Sequence, residues 1–372
     1  MSQLTTPEPK LQPGAKSRNP RNISNALQGS TLPKGAARFT FLGSFVLVFA
    51  LAAFLAVGSE TEMNIAAAVI ASLVLYIVAI GTISTIIEGR RKAIDRIMLA
   101  LVVGAFGLAL LPLISVIWTV GVQGWSRLDW EFLSTTMQGE LDGGGGVLHA
   151  IVGTLSITLS ATLISVPIGL FTAIYLVEYG RGPLAKSITF LVDVMTGIPS
   201  IVAGLFAYAL FSMIFGAGTR SGLAGAVALS VLMIPIIVRS CDEMLRLVPN
   251  ELREASLALG VPQWLTILKV VLPTSIAGIT TGIIVAIARI IGETAPLLLV
   301  AGYTVNMNWN MVQGRMMTLP VFVYDQYKNK GIEEAFFDAR AWSGALVLIL
   351  IVMILNLGAR LIAHAFSPKI RR

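Results

Sequence analysis

Long apolar runs, separated by short clusters of charge, set the pattern of this chain. A helix that crosses a bilayer needs roughly 20 mostly apolar residues. On that rule the candidate spans are 39–57, 63–87, 97–121, 148–177, 188–215, 222–238, 271–301 and 342–365. Eight spans put both chain ends on the same side of the membrane. The later spans are richer in Gly, Pro, Ser and Thr, as suits helices that pack closely or line a pathway. The first two are made largely of Ala, Val, Leu and Ile and read as peripheral helices facing lipid. The pattern predicts an all-α, polytopic membrane protein of about eight transmembrane helices.

Composition sharpens this picture. Of 372 residues 55% are hydrophobic and 13% charged, about half the charged share of a soluble domain. That excludes a soluble enzyme, a disordered chain and a disulfide-stapled secreted one. The single cysteine, Cys241, forbids an intrachain disulfide, and the two histidines, His149 and His364, lie far apart. The expectation is therefore no metal site. The net charge of +7 raises nucleic-acid binding, but the placement of the basic residues answers it. Under the eight-span topology one side receives Lys10, Lys16, Arg18, Arg21, Lys34 and Arg38, then Arg90, Arg91, Lys92 and Arg96. It also receives Arg181, Lys186, Arg239, Arg246, Arg253, Lys269, Lys369, Arg371 and Arg372. Lys and Arg concentrate on the cytoplasmic side, so both termini are expected there, in a plasma (inner) membrane, and no nucleic-acid partner is expected.

Residues 1–37 read as a disordered cytoplasmic arm held near lipid headgroups, with no signal-peptide core. Two larger loops, 122–147 and 302–341, fall on the far side. The run Gly143–Gly146 has no preceding strand and no following lysine, so it reads as a flexible linker and not a phosphate cradle.

The long cytoplasmic loop is 239–270. Asn250 is placed as a helix cap, with Glu251 and Glu254 in the first turn and Gly260 at the end. Leu252, Ala255 and Leu259 share one face of that short helix, and Pro262 and Trp264 open a second element leading to Leu272-Pro273. Such a helix either docks in a groove on a soluble partner or lies on the headgroups, and physics alone leaves the two even.

A charged pair stands inside the span 271–301. Arg289 and Glu293 are four apart, on one face of a continuous helix and within ion-pair reach, followed by Thr294 and Pro296. Glu293 either neutralises Arg289 for insertion, or Arg289 lines a pathway for an oxyanion, whose oxygens match the guanidinium fork. Pro167, Pro199 and Pro296 predict helix kinks. Asp193 reads as an interfacial carboxylate, and Glu178 and Tyr179 as anchors of a span end.

These motifs carry a resemblance. Glu254-Ala255-Ser256, then Gly260 after three residues, then Val270-Val271-Leu272-Pro273 after nine more, resembles the EAA motif of bacterial ABC-importer permeases, with Ser256 for Ala and Val270 for Ile. The segment Arg289-Ile-Ile-Gly-Glu293-Thr294-Ala-Pro296-Leu resembles that of phosphate ABC-importer permeases. Gly153-Thr154-Leu155, Val166-Pro167-Ile168-Gly169 and Thr196-Gly197-Ile198-Pro199-Ser200 through Phe206 agree with the same family. Arg91-Lys92 to Arg96, before Leu111-Pro112-Leu113, resembles its PstA-type subunit more than the PstC type.

The resemblance implies a MetI-like permease core over 90–372, with two added helices in 38–89. It implies coupling to an ATPase through Glu254, Ala255, Ser256, Gly260, Leu272 and Pro273, and a substrate pathway at Arg289, Glu293 and Thr294. The implied partners are a second permease (PstC type), a dimer of ATP-binding subunits (PstB type), an extracytoplasmic phosphate-binding protein (PstS type) and membrane lipid. The chain lacks a nucleotide loop, so ATP and Mg²⁺ would be bound by the partner ATPase. This chain would carry no catalytic residue and no cofactor. The alternatives are a permease for another oxyanion (sulfate or molybdate), a passive anion channel or carrier, and a membrane scaffold.

Overall fold

A computed structural model describes residues 32–33, 35–59, 64–139 and 144–366, and all regular structure among them is helical. Most of the arm expected to be disordered, positions 1–31, and the basic end 367–372 lie outside the described residues. Among those described, seven helices are long and apolar enough to cross a membrane, or eight when one bent pair counts as a single span. The chain divides into two compact units, 1–115 and 116–372.

The first unit holds α1 (Ala36–Ser59), α2 (Ile65–Glu88) and most of α3 (Arg90–Gly124). Asn64 caps α2, its side chain accepting from the Ala67 amide at 3.0 Å, which satisfies one of the orphan donors of a helix start. Gly89, at φ +87°, ends α2 and lets α3 begin at the next residue. Glu88 joins the two helices by an ion pair to Arg96 at 2.6 Å. Phe39, Phe54, Val102 and Phe106 are more than 60% exposed. Water would penalise that apolar surface at about 25 cal/mol per Å², and lipid does not.

The second unit begins in the last turns of α3 and adds α4 (Trp130–Ser134), α5 (Leu148–Ile174), α6 (Pro183–Thr196) and α7 (Ser200–Phe215). It continues through α8 (Gly222–Arg246), α9 (Asn250–Ala258), α10 (Gln263–Thr266) and α11 (Leu272–Ile290). The last helices are α12 (Ala295–Val300), α13 (Leu319–Lys328) and α14 (Glu334–Phe366). At the centre is α8, the most deeply buried span, packed by α5, α6, α7 and α11. Leu229, Met233, Ile237, Cys241 and Leu245 are all buried in it. Close packing comes from missing side chains: a Cβ on Gly169 would stand 2.6 Å from Ile237 Cγ2, and one on Gly282 would strike the Ser240 hydroxyl. Without a hydrophobic drive between helices in lipid, such close approach supplies the contact.

Four boundaries differ from the apolar pattern. The run 188–215 is two helices, α6 and α7, meeting at 108°. The break falls at Gly197-Ile198-Pro199, where Pro199 disfavours helical geometry at Ile198 and cannot continue the ladder. The span placed at 222–238 extends to Arg246, because its charges find partners: Arg239 ion-pairs with Asp193 of α6, and Arg246 with Asp242 at 2.9 Å. Asp193 is thus an ion-pair partner and not merely an interfacial carboxylate. The span placed at 271–301 runs instead over 263–290 and is followed by a turn and the short α12. Finally, the glycine run is no flexible linker where it is described. Gly145 and Gly146 are buried, and the Gly146 and Val147 amides donate to Thr136 and Phe132 carbonyls at 3.2 and 2.7 Å. Gly143 lies outside the described residues.

Candidate functional site

At one end of α8 the chain builds a compact loop. It runs through α9 and α10 and then, by a wide π-type turn over Ile267–Val271, into α11. The N-cap position of α9 belongs to Pro249 and not Asn250; Asn250 sits in the first turn, where its Oδ1 accepts from Arg253 Nη1 at 3.2 Å. Gly260, at φ +78°, ends the helix. Its amide donates to the Leu257 carbonyl at 2.9 Å and the Val261 amide to that of Ser256 at 3.3 Å, the paired bonds of a Schellman ending. Pro273 lies in the first turn of α11, just beyond the π-type turn, where a missing amide donor disturbs the ladder least.

Three contacts fix this loop to the spans. The buried Ser256 hydroxyl meets that of Thr266 at 2.9 Å, tying α9 to α10. Arg253 ion-pairs with Glu178 at the end of α5, Nη2 to Oε1 at 2.9 Å, and its Nη1 and Nη2 donate to the Val248 and Leu245 carbonyls at 2.6 and 2.9 Å. Gln263 Nε2 donates to the Glu178 carbonyl at 2.8 Å. Outward, the loop presents Leu252, Leu257, Leu259 and Trp264, from 43% to 84% exposed, with Glu251, Glu254 and Ala255 also exposed. Four apolar side chains thus stand exposed along 252–264, across α9 and α10.

The second cluster is at the other end of α11. Arg289 occupies the last turn of that helix and is exposed on this chain. The helix then stops, and Ile291–Thr294 turn, with the Glu293 amide donating to the Ile290 carbonyl at 3.1 Å. Arg289 and Glu293 therefore do not share a helix face, and no ion pair joins them. Proline is tolerated in a first helical turn and not inside a ladder, so Pro296 opens α12 where α11 would otherwise have continued. Arg289 is not buried among apolar residues but exposed, and it forms no ion pair among the described residues.

Of the three prolines read as kinks, Pro167 lies inside α5, which runs on past it as one helix, whereas Pro199 marks the 108° break and Pro296 the start of α12. Pro296 packs against α7: a Cβ on Gly204 would stand 2.7 Å from Pro296 Cα, so α7 and α12 touch backbone to backbone. Likewise the Thr154 hydroxyl accepts from the Leu319 amide at 2.8 Å, beside Gly153 packed against the Met317 carbonyl. Sequence reading missed Arg253 as the anchor of the loop; its signal was a lone arginine inside the motif with no local acid at ion-pair spacing but Glu178 far upstream.

Residues 165–372 match the family model of the binding-protein-dependent transport system inner membrane component. A "phosphate transport system permease protein PstA 1" of Mycobacterium tuberculosis is 44% identical over 287 residues, 76% of this chain and 91% of its own. A PstA protein of Pasteurella multocida is 41% identical over 273 residues, 73% of this chain and 95% of its own. Among solved structures, a bacterial alginate ABC transporter in complex with its pentasaccharide-bound periplasmic protein aligns at a TM-score of 0.51. That alignment covers 73% of this chain and 96% of the other at 13% identity, a likeness of fold.

Proposed function

This chain belongs to the binding-protein-dependent transport system inner membrane component family, and from that membership we propose that it is the permease subunit of an ATP-driven importer of inorganic phosphate. It forms half of the translocation pathway, with a second permease of the PstC type as the other half. A dimer of PstB-type subunits binds ATP and Mg²⁺, and a PstS-type protein delivers phosphate from outside. Both termini and the 250–270 loop face the cytoplasm. The exposed apolar face of α9 and α10 is the surface that meets the ATPase, with Glu254, Ala255, Ser256 and Gly260 on the helix and Leu272 and Pro273 at the root of α11.

The observation that carries the substrate reading is Arg289. A guanidinium within a membrane span costs at least ~2.5–3.5 kcal/mol and faces a cavity or partner. Here it stands at the end of α11, in no ion pair among the described residues, beside the Glu293–Thr294 turn. An oxyanion passing that face finds a fork of donors matched to its oxygens. Glu293 and Thr294, half-buried in the turn, limit how tightly the anion is held, so that it leaves again.

The test is uptake of radiolabelled phosphate by the complete transporter in proteoliposomes. Arg289→Gln should abolish uptake while leaving insertion and assembly intact. Unchanged uptake would remove Arg289 from the pathway, and sulfate or molybdate uptake by the parent protein in place of phosphate would change the substrate.

A further inference from the structure

At the end of α8 opposite the coupling loop, two arginines from distant parts of the chain converge on one glycine. Gly302, buried and at φ +80°, leaves a gap that both fill. A Cβ there would stand 2.9 Å from Arg220 Cδ and 3.3 Å from Arg315 Cγ. The backbone fixes this meeting. Next to Arg220, the Ser221 amide donates to the Val300 carbonyl at 3.0 Å. Next to Arg315, the Met316 amide donates to the Ala301 carbonyl at 3.0 Å, and Asn308 Nδ2 holds the Arg315 carbonyl at 2.9 Å. The stems of two like-charged side chains thus meet on one glycine.

Among the described residues no ion pair reaches them. The stretches that carry them, 194–241 and 294–324, contain no Asp or Glu. The nearest acid along the chain, Asp325, accepts from Asn329 Nδ2 at 2.8 Å and lies beside Tyr303, whose hydroxyl burial and then that carboxylate hold above its ordinary pKa. Neither Arg220 nor Arg315 forms an ion pair among the described residues, although Arg315 is exposed and Arg220 half-exposed. Two guanidinium forks whose stems meet on one glycine, with no ion pair among the described residues, offer donors that the oxygens of a tetrahedral oxyanion can engage.

We propose that Arg220 and Arg315, gathered over Gly302, form an anion-receiving site that takes phosphate at the external mouth of the pathway before it reaches Arg289. This rests on the phosphate-import reading above and adds a station to it. Charge concentrated at a mouth raises the local concentration of an oppositely charged substrate.

Two experiments test it. In the first, the intact wild-type complex is treated with an arginine-selective dicarbonyl reagent, and adducts at Arg220 and Arg315 are followed by mass spectrometry. Inorganic phosphate should slow both relative to chloride at equal ionic strength, and equal rates in the two salts would overturn the site. This needs neither transport nor a variant, so it is read separately from the import assay on the wild type. In the second, the double variant Arg220→Gln/Arg315→Gln should lose about tenfold in uptake at limiting phosphate, the scale of one charge-assisted interaction. Affinity for the loaded delivery protein should stay within about twofold. A large loss of that affinity would instead assign the pair to an acidic surface of the delivery protein and overturn the anion site.

Discussion

Arg253 of α9 and Glu178 at the end of α5 are 75 residues apart and meet through two guanidinium nitrogens, Nε at 3.0 Å and Nη2 at 2.9 Å from the same carboxylate oxygen. Their side chains are 15% and 7% exposed. The pair is therefore largely withdrawn from water and its charges weakly screened. Two backbone carbonyls take the remaining fork. The loop of α9 and α10 is fastened to the spans at this point.

Removing one side of the clamp leaves the other charge buried alone. Arg253→Leu should destabilise the chain by about 3 kcal/mol, and Glu178→Leu by a similar amount. The double variant should cost clearly less than the sum, since it leaves no orphaned charge. Thermal unfolding of the purified complex reads all three, and strict additivity would show the contact to be energetically idle.

Gly260 takes a left-handed conformation that a β-branched residue resists. Gly260→Val should cost about 1–2 kcal/mol locally and loosen the ending of α9. The expected outcome is ATP turnover that no longer drives uptake, with the ATPase partly lost on co-purification. Normal uptake per ATP would separate the helix ending from coupling.

Gly204 lies against the backbone of Pro296. Gly204→Val overpacks that contact and should cost about 1–3 kcal/mol, seen as a lower unfolding temperature and reduced uptake. Gly204→Ala should fall between it and the parent.

Two glycines near each other in sequence give opposite expectations. A Cβ on Gly282 would strike Ser240, whereas one on Gly292 meets nothing within 4 Å. Gly282→Leu should prevent stable assembly. Gly292→Ala should change stability by no more than about 0.5 kcal/mol, and expression with thermal unfolding distinguishes the two.

Much of this architecture was legible because lipid demands it. The apolar runs located the helices, and the α9 motif located the loop. Hydropathy failed where the backbone turned without becoming polar. Gly197-Ile198-Pro199 and Ile291-Gly292 do not interrupt the apolar run, so hydropathy joined the elements on either side, and Pro199 and Pro296, read as kinks, gave no measure of the 108° bend or of the helix end. The same blindness placed Arg289 and Glu293 on one helix face, since spacing of four means a shared face only if the ladder is unbroken. Charge misled in the opposite sense at Arg239, which suggested a span end although Asp193 answers it from α6. Arg220 and Arg315, 95 positions apart, could be joined only by the fold that lays both upon Gly302.

The close contacts between α8 and α11 have a mechanical meaning. Gly278 lies under Met244 and Gly282 under Ser240, one helical turn apart. Two helices seated in each other at successive turns cannot slide or hinge there without steric collision, because packed interiors transmit strain and do not absorb it. Both are rooted in the 247–262 segment, one entering it and the other leaving it. In the importer proposed above, a push on α9 would reach the core as a swing of α8 and α11 together, like one lever with two arms.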